Sequence, residues 1–97
     1  MAGWILESSD PALVLRLPVE TTRTVGRTSK ADFILDAPLV SRVHCRLAVD
    51  KSDRLSVEDL ASTNGILLNG RRIIQSTLEA GDVLTIGRVE FTAKLAT

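Results

Sequence analysis

Apolar and polar residues alternate in several short runs of this chain. Leu13, Leu15 and Leu17 fall on one face with Val14 and Arg16 on the other; Val43, Cys45, Leu47 and Val49 oppose His44, Arg46 and Ala48; Val89, Phe91, Ala93 and Leu95 oppose Glu90, Thr92 and Lys94. A period of two marks strands with one face buried. Shorter strand candidates lie between them, at Arg54 to Asp59, Ile66 to Leu68 and Val83 to Ile86. No segment sustains an apolar period of 3.6, although Ala31 to Leu35 reads as a short turn leading into a strand. Turn residues separate the runs: Asp10-Pro11, Gly26, Ala37-Pro38, Asp50 to Asp53, Asn64-Gly65, Asn69-Gly70, Gly81-Asp82 and Gly87. Many short strands with frequent turns specify an all-β sandwich or barrel.

The chain has 97 residues, enough for one small core and too few for two. Val25-Gly26-Arg27 is echoed by Ile86-Gly87-Arg88, and Asn64-Gly65 by Asn69-Gly70, but the flanking sequences share no fixed period. These are recurrent turns, not repeats. With no Ser/Gly/Pro-rich linker and no charge block, residues 1–97 read as a single domain.

Twelve basic residues balance twelve acidic ones, so no bulk field draws in nucleic acid or an anionic membrane, and a partner must be recognised locally. Arg23, Arg27, Lys30, Arg42, Arg46, Arg71 and Arg72 would have to supply any basic patch. Aromatics, at 3%, leave little for base stacking, which counts against a nucleic-acid module. One cysteine, Cys45, and one histidine, His44, exclude an internal disulfide and a Cys/His zinc cluster; neither metal nor cofactor is expected. No basic leader opens the sequence and no apolar run is long enough to span a bilayer as a helix. The expectation is a cytoplasmic, monomeric domain.

Three turn-rich pieces carry the groups that could do chemistry: Gly26-Arg27, Ser41-Arg42-Val43-His44 and Thr63-Asn64-Gly65. Binding residues commonly sit on loops held by a rigid scaffold. Arg27 brings a planar fork of donors suited to phosphate oxygens. Ser41, placed before a strand that starts near Val43, can offer its hydroxyl together with the Arg42 N–H to one anion. Thr63 adds a hydroxyl, and the Asn64 carboxamide has donors and an acceptor for an extended peptide backbone. Asn64-Gly65 also has the composition of a tight hairpin turn, as does Asn69-Gly70. His44 and Cys45 are strand neighbours pointing to opposite faces, so they form no catalytic dyad; Cys45 reads as a core residue and His44 as a support for the Ser41 junction. A Ser41–His44 hydrolase lacks both an orienting acid and the Gly-x-Ser-x-Gly elbow. The chain is not expected to be an enzyme.

Gly26-Arg27, Ser41-x-x-His44 and Thr63-Asn64-Gly65, followed by Leu78-x-x-Gly81-Asp82-x-Leu84-x-Ile86-Gly87, resemble in order and spacing the forkhead-associated (FHA) domain family, whose members read phosphothreonine peptides. The resemblance implies a β-sandwich of two twisted, mostly antiparallel sheets with ligand loops at one end. It implies that Arg27 and Ser41 bind phosphate, with Thr63 nearby, that Arg42 contributes its N–H and that Asn64 holds the peptide main chain. Gly26, His44 and Gly65 would shape the loops. The expected partner is a threonine-phosphorylated protein or peptide, preferred over its phosphoserine counterpart. A phosphate-independent interaction scaffold is the alternative.

Overall fold

The computed structural model describes residues 2–96. Its strands are β1 (Trp4–Ser9), β2 (Ala12–Leu17), β3 (Thr21–Gly26), β4 (Phe33–Ile34), β5 (Cys45–Val49), β6 (Leu55–Asp59), β7 (Ile66–Leu68), β8 (Arg71–Ile73), β9 (Gln75–Leu78), β10 (Val83–Ile86) and β11 (Val89–Leu95). They form a six-stranded sheet, β2-β1-β11-β10-β7-β8, and a five-stranded sheet, β4-β3-β5-β6-β9. The ladders are antiparallel except β3–β4, which runs parallel. No helix occurs among the described residues, so none is long and apolar enough to cross a membrane.

The alternating residues do what their period dictates. Leu6, Leu17, Ile66, Leu84, Ile86 and Phe91 from one sheet meet Val25, Leu47, Leu55 and Val57 from the other in one buried cluster, all with at most 1% exposure. Register fixes which side chains meet: Leu47 opposes Val57 and Val49 opposes Leu55, so a one-residue slip would turn the whole inward set to solvent. Leu95 departs from the expected pattern: it is half exposed, because it ends β11 beside Trp4, where the sandwich no longer covers it. Strand β5 begins at Cys45, not near Val43, and the residues before it belong to the loop that builds the site.

Chain direction sorts the loops to the two ends of the sandwich. The β3–β4 segment, the run from Leu35 to His44 before β5, and Leu60 to Gly65 between β6 and β7 emerge at one end. The β5–β6 turn lies at the other, where the Trp4 indole Nε1 donates to the Asp53 carbonyl at 2.9 Å and the Gly3 N–H to the Asp53 carboxylate at 3.1 Å.

Candidate binding site

Gly26 is where the first two loops are pressed together. A Cβ there would sit 2.1 Å from the Arg42 carbonyl oxygen and 2.8 Å from the Val43 Cα, so only glycine allows this approach. The contact is sewn by backbone bonds on either side: His44 N–H to Val25 carbonyl at 2.8 Å, and Arg27 N–H to Ser41 carbonyl at 2.9 Å. The Thr28 hydroxyl also donates to the Arg42 carbonyl, at 3.3 Å. Arg27 and Ser41 thus leave adjacent backbone from two different loops. Behind them Asp32 and Thr24 close the β3–β4 loop reciprocally: the Asp32 carboxylate accepts the Thr24 N–H and hydroxyl at 2.8 and 3.1 Å, and the Thr24 hydroxyl accepts the Asp32 N–H at 3.0 Å. Those bonds, the N–H first, hold the Asp32 carboxyl below its ordinary range.

His44 joins this unit to the third loop. It is fully buried, and both ring nitrogens are committed: Nδ1 accepts the Ser41 N–H at 3.0 Å, which leaves the proton on Nε2 to donate to the Gly65 carbonyl at 2.8 Å. The histidine meets Ser41 through the backbone, not the hydroxyl, so the pair has no nucleophile–base geometry. The next residue, Cys45, opens β5 and is buried in the sandwich, and burial, followed by the Asp59 carboxylate, pushes its thiol up to about 12. It is a protonated core residue.

The segment from Leu60 to Gly65 is not a hairpin, contrary to what Asn64-Gly65 suggested. β6 and β7 lie in different sheets, so the segment crosses between them and has no strand pair to close. Of the two residues only Gly65 takes positive φ, at 76°, whereas both residues of Asn69-Gly70 do, at 52° and 83°, in the hairpin joining β7 to β8. The crossing loop is shaped instead by side chains. Ser62 Oγ accepts the Gly65 N–H at 2.9 Å and donates to Asp59 at 2.5 Å. The Thr63 N–H donates to Ser41 Oγ at 3.1 Å, and Asn64 Nδ2 donates to the Leu39 carbonyl at 3.1 Å.

These bonds decide what remains available to a ligand. Ser41 Oγ accepts from Thr63 and donates to no group among the described residues, so its proton remains available to a ligand. The Asn64 carboxamide, read as a partner for a peptide backbone, uses one N–H to pin Leu39, leaving Oδ1 and one N–H. Arg27, Arg42 and Thr63 are exposed, and the ion pairs among the described residues, Arg46–Glu58 and Lys94–Glu7, involve none of them. Arg42 adds an N–H that no backbone carbonyl among the described residues accepts.

Three further residues support the site: Ser62 and Asp59, which the sequence did not single out, and Gly87, which it marked only as a turn. Ser62 and Asp59 form the clasp just described. Gly87, at φ 63°, lies against Pro38 and Val40, where a Cβ would fall 2.9 Å from both the Pro38 carbonyl oxygen and Val40 Cγ2. The echo of Gly26-Arg27 at Gly87-Arg88 was the available signal: each Gly is a point where the Leu35–His44 loop is approached closely.

The fold and site define a β-sandwich that carries a cluster of donors on loops at one end. A family model for the FHA domain matches residues 23–87. An ABC transporter ATP-binding/permease protein of Mycobacterium tuberculosis is 35% identical over 66 residues, 68% of this chain and 8% of that protein. The structure of Mycobacterium tuberculosis EmbR in complex with a low affinity phosphopeptide aligns with a TM-score of 0.88 at 28% identity, over 100% of this chain and 25% of that one. An FHA domain from a structural and functional analysis of phosphothreonine-dependent FHA domain interactions gives a TM-score of 0.87 at 28% identity, over 97% of both chains. This chain belongs to the FHA domain family, and it spans only a small part of the first of these relatives.

Proposed function

We propose that this chain is a phosphothreonine-dependent peptide-binding module. The observation that carries the reading is Ser41 Oγ, which accepts the Thr63 N–H but donates to no group among the described residues, in a loop stitched by its backbone to that of Arg27. A phosphothreonine brings roughly −1.5 to −2 charges and three acceptor oxygens. Arg27, the Ser41 hydroxyl, the Arg42 N–H and the Thr63 hydroxyl are the donors to satisfy them, and Asn64 offers Oδ1 and an N–H to the peptide main chain. Gly26, His44 and Gly65 keep these groups in register without touching the ligand.

None of these groups is arranged to make or break a bond, so the reading is reversible binding with no catalysis, cofactor or metal. We place the domain at residues 1–97, acting as a monomer in the cytoplasm on phosphorylated protein segments, with no role for nucleic acid or membrane.

Calorimetry with a threonine-phosphorylated peptide and its unphosphorylated twin tests the reading. Binding of the phosphorylated form alone is expected, and Arg27→Ala should weaken it by about 1.5 to 3 kcal/mol, roughly ten- to a hundredfold, without loss of fold. Equal binding of both peptides would instead establish the phosphate-independent scaffold.

A further inference from the structure

Arg72 lies on β8, whose neighbour β7 follows directly from the Thr63-Asn64-Gly65 loop. Its guanidinium does not extend into solvent at random. A Cβ placed on Gly65 would meet Arg72 Nε at 2.7 Å and both Cζ and Nη2 at 2.8 Å. Three near-equal distances to atoms of one plane mean that the guanidinium lies face-on over the Gly65 α-carbon. The guanidinium therefore packs against the loop in which Asn64 directly precedes Gly65. Arg72 is exposed, and neither ion pair among the described residues includes it.

We infer that Arg72 is a specificity-determining residue that selects an acidic side chain, Asp or Glu, flanking the phosphothreonine on the side of the peptide that Asn64 holds. This rests on the phosphopeptide reading of the site. The physical case is preorganisation: an arginine held by stacking has already lost much of the rotamer freedom that ordering a long side chain normally costs, and its fork matches a carboxylate. Gly65 permits this position because a side chain there would displace the guanidinium. An aliphatic flanking residue has a different candidate surface, Ile74, which is 77% exposed just beyond β8. The acidic choice is favoured because Arg72 is the group in contact with the Asn64-Gly65 loop itself.

The test is a panel of threonine-phosphorylated peptides in which one Asp is walked through three positions on each side of the phosphothreonine of an otherwise neutral sequence. At one position Asp should strengthen binding about three- to fivefold, the range of a solvent-exposed ion pair, and the gain should shrink as salt is raised. In Arg72→Ala the affinity ratio between that peptide and the neutral one should fall to about one, and in Arg72→Glu a Lys at that position should be preferred over Asp. An unchanged ratio in Arg72→Ala, or equal weakening of both peptides, would overturn the assignment and leave Arg72 as a prop for the loop. A peak for Leu in place of Asp, unmoved by Arg72→Ala, would overturn it in favour of Ile74. If no phosphorylated peptide binds the unaltered chain, the phosphopeptide reading fails as well; if the neutral phosphopeptide binds and Asp adds nothing, the Arg72 assignment alone fails.

Discussion

Asn64-Gly65 and Asn69-Gly70 are the same dipeptide five residues apart, and the molecule uses them for opposite purposes. At the second, both ends of the carboxamide are bonded within the fold: Asn69 Oδ1 accepts the Val83 N–H at 2.9 Å, Nδ2 donates to Asp82 at 3.1 Å, and the Asn69 N–H donates to the Val83 carbonyl at 2.8 Å. The turn closes two antiparallel strands and is tied to the start of β10. At the first, half the carboxamide remains available, and the turn depends on distant residues: His44 holds the Gly65 carbonyl, Ser41 holds Thr63, and Leu39 receives Asn64. A loop whose shape is imposed from outside can leave its own polar groups unsatisfied by the fold, which is the condition for binding something else.

The largest effect should come from removing what imposes that shape. His44→Ala strands a part-buried Ser41 N–H and a buried Gly65 carbonyl, and each unsatisfied buried group costs about 1 to 3 kcal/mol. We expect about 3 kcal/mol of lost stability and a melting temperature lower by at least about 10 °C, with weakened peptide binding in the protein that remains folded. Unchanged melting by scanning calorimetry would show that the Asn64-Gly65 loop does not depend on the His44 anchor, and the comparison would break.

Exchanging the two asparagines one at a time sharpens it. Asn69→Ala should cost about 1 kcal/mol of stability, measured by urea unfolding, while phosphopeptide affinity stays within about twofold. Asn64→Ala should show the reverse weighting: affinity down about fivefold by calorimetry, with a smaller stability loss for the bond to Leu39. Parallel behaviour of the two variants would mean that both side chains are structural.

A smaller effect concerns the ligand's methyl group. Otherwise identical phosphothreonine and phosphoserine peptides differ by one methyl, whose burial is on the order of 0.8 kcal/mol, so a competition measurement should favour phosphothreonine about fourfold. Discrimination well above that would show that the methyl also orients the phosphate against Arg27, Ser41 and Thr63.

Cys45 gives the most selective readout, because it reports on the loop anchor without touching the ligand. Its thiol is raised to about 12 from an ordinary 9.0, so its burial contributes fully below about pH 9 and that contribution is lost as the pH climbs towards 12. At pH 8 the folded protein should resist iodoacetamide, and unfolded protein should react readily, as followed by intact mass. Rapid alkylation of the native protein would show that the Cys45–His44 segment opens, and with it the site loops.

Much of this was legible in the sequence, for a physical reason. Strands such as β5, β10 and β11 bury one face against the other sheet, and burial writes a period of two into the residues. Edge strands β4, β8 and β9 carry no such record: Arg71-Arg72-Ile73 and Gln75-Ser76-Thr77 have little inward face to fill, and only the ladder bonds to β7 and β6 make them strands. The candidate site residues stood out in the sequence as a spaced set, since Gly26, Ser41, His44 and Thr63 each bring a particular chemistry to a particular loop. The path of the loop between them was not. Asn-Gly suits a hairpin wherever it occurs, and only the assignment of β6 and β7 to different sheets, a property of the whole fold, rules one out at residue 64. Ser62 and Asp59 were hidden likewise, since a serine and an aspartate three apart become a clasp only once Gly65 is brought to them.

The tie between Trp4 and Asp53 has a practical value for spectroscopy. Trp4 is the chain's sole tryptophan, 6% exposed, with its indole anchored to the β5–β6 turn at the far end of the sandwich from the ligand loops. Its emission is therefore a clean optical gauge of whether the two sheets are still together. Peptide titration should leave that signal flat, whereas denaturant should shift it to the red as water reaches the indole, so intactness and occupancy are observed on separate channels in a single cuvette, with no label attached.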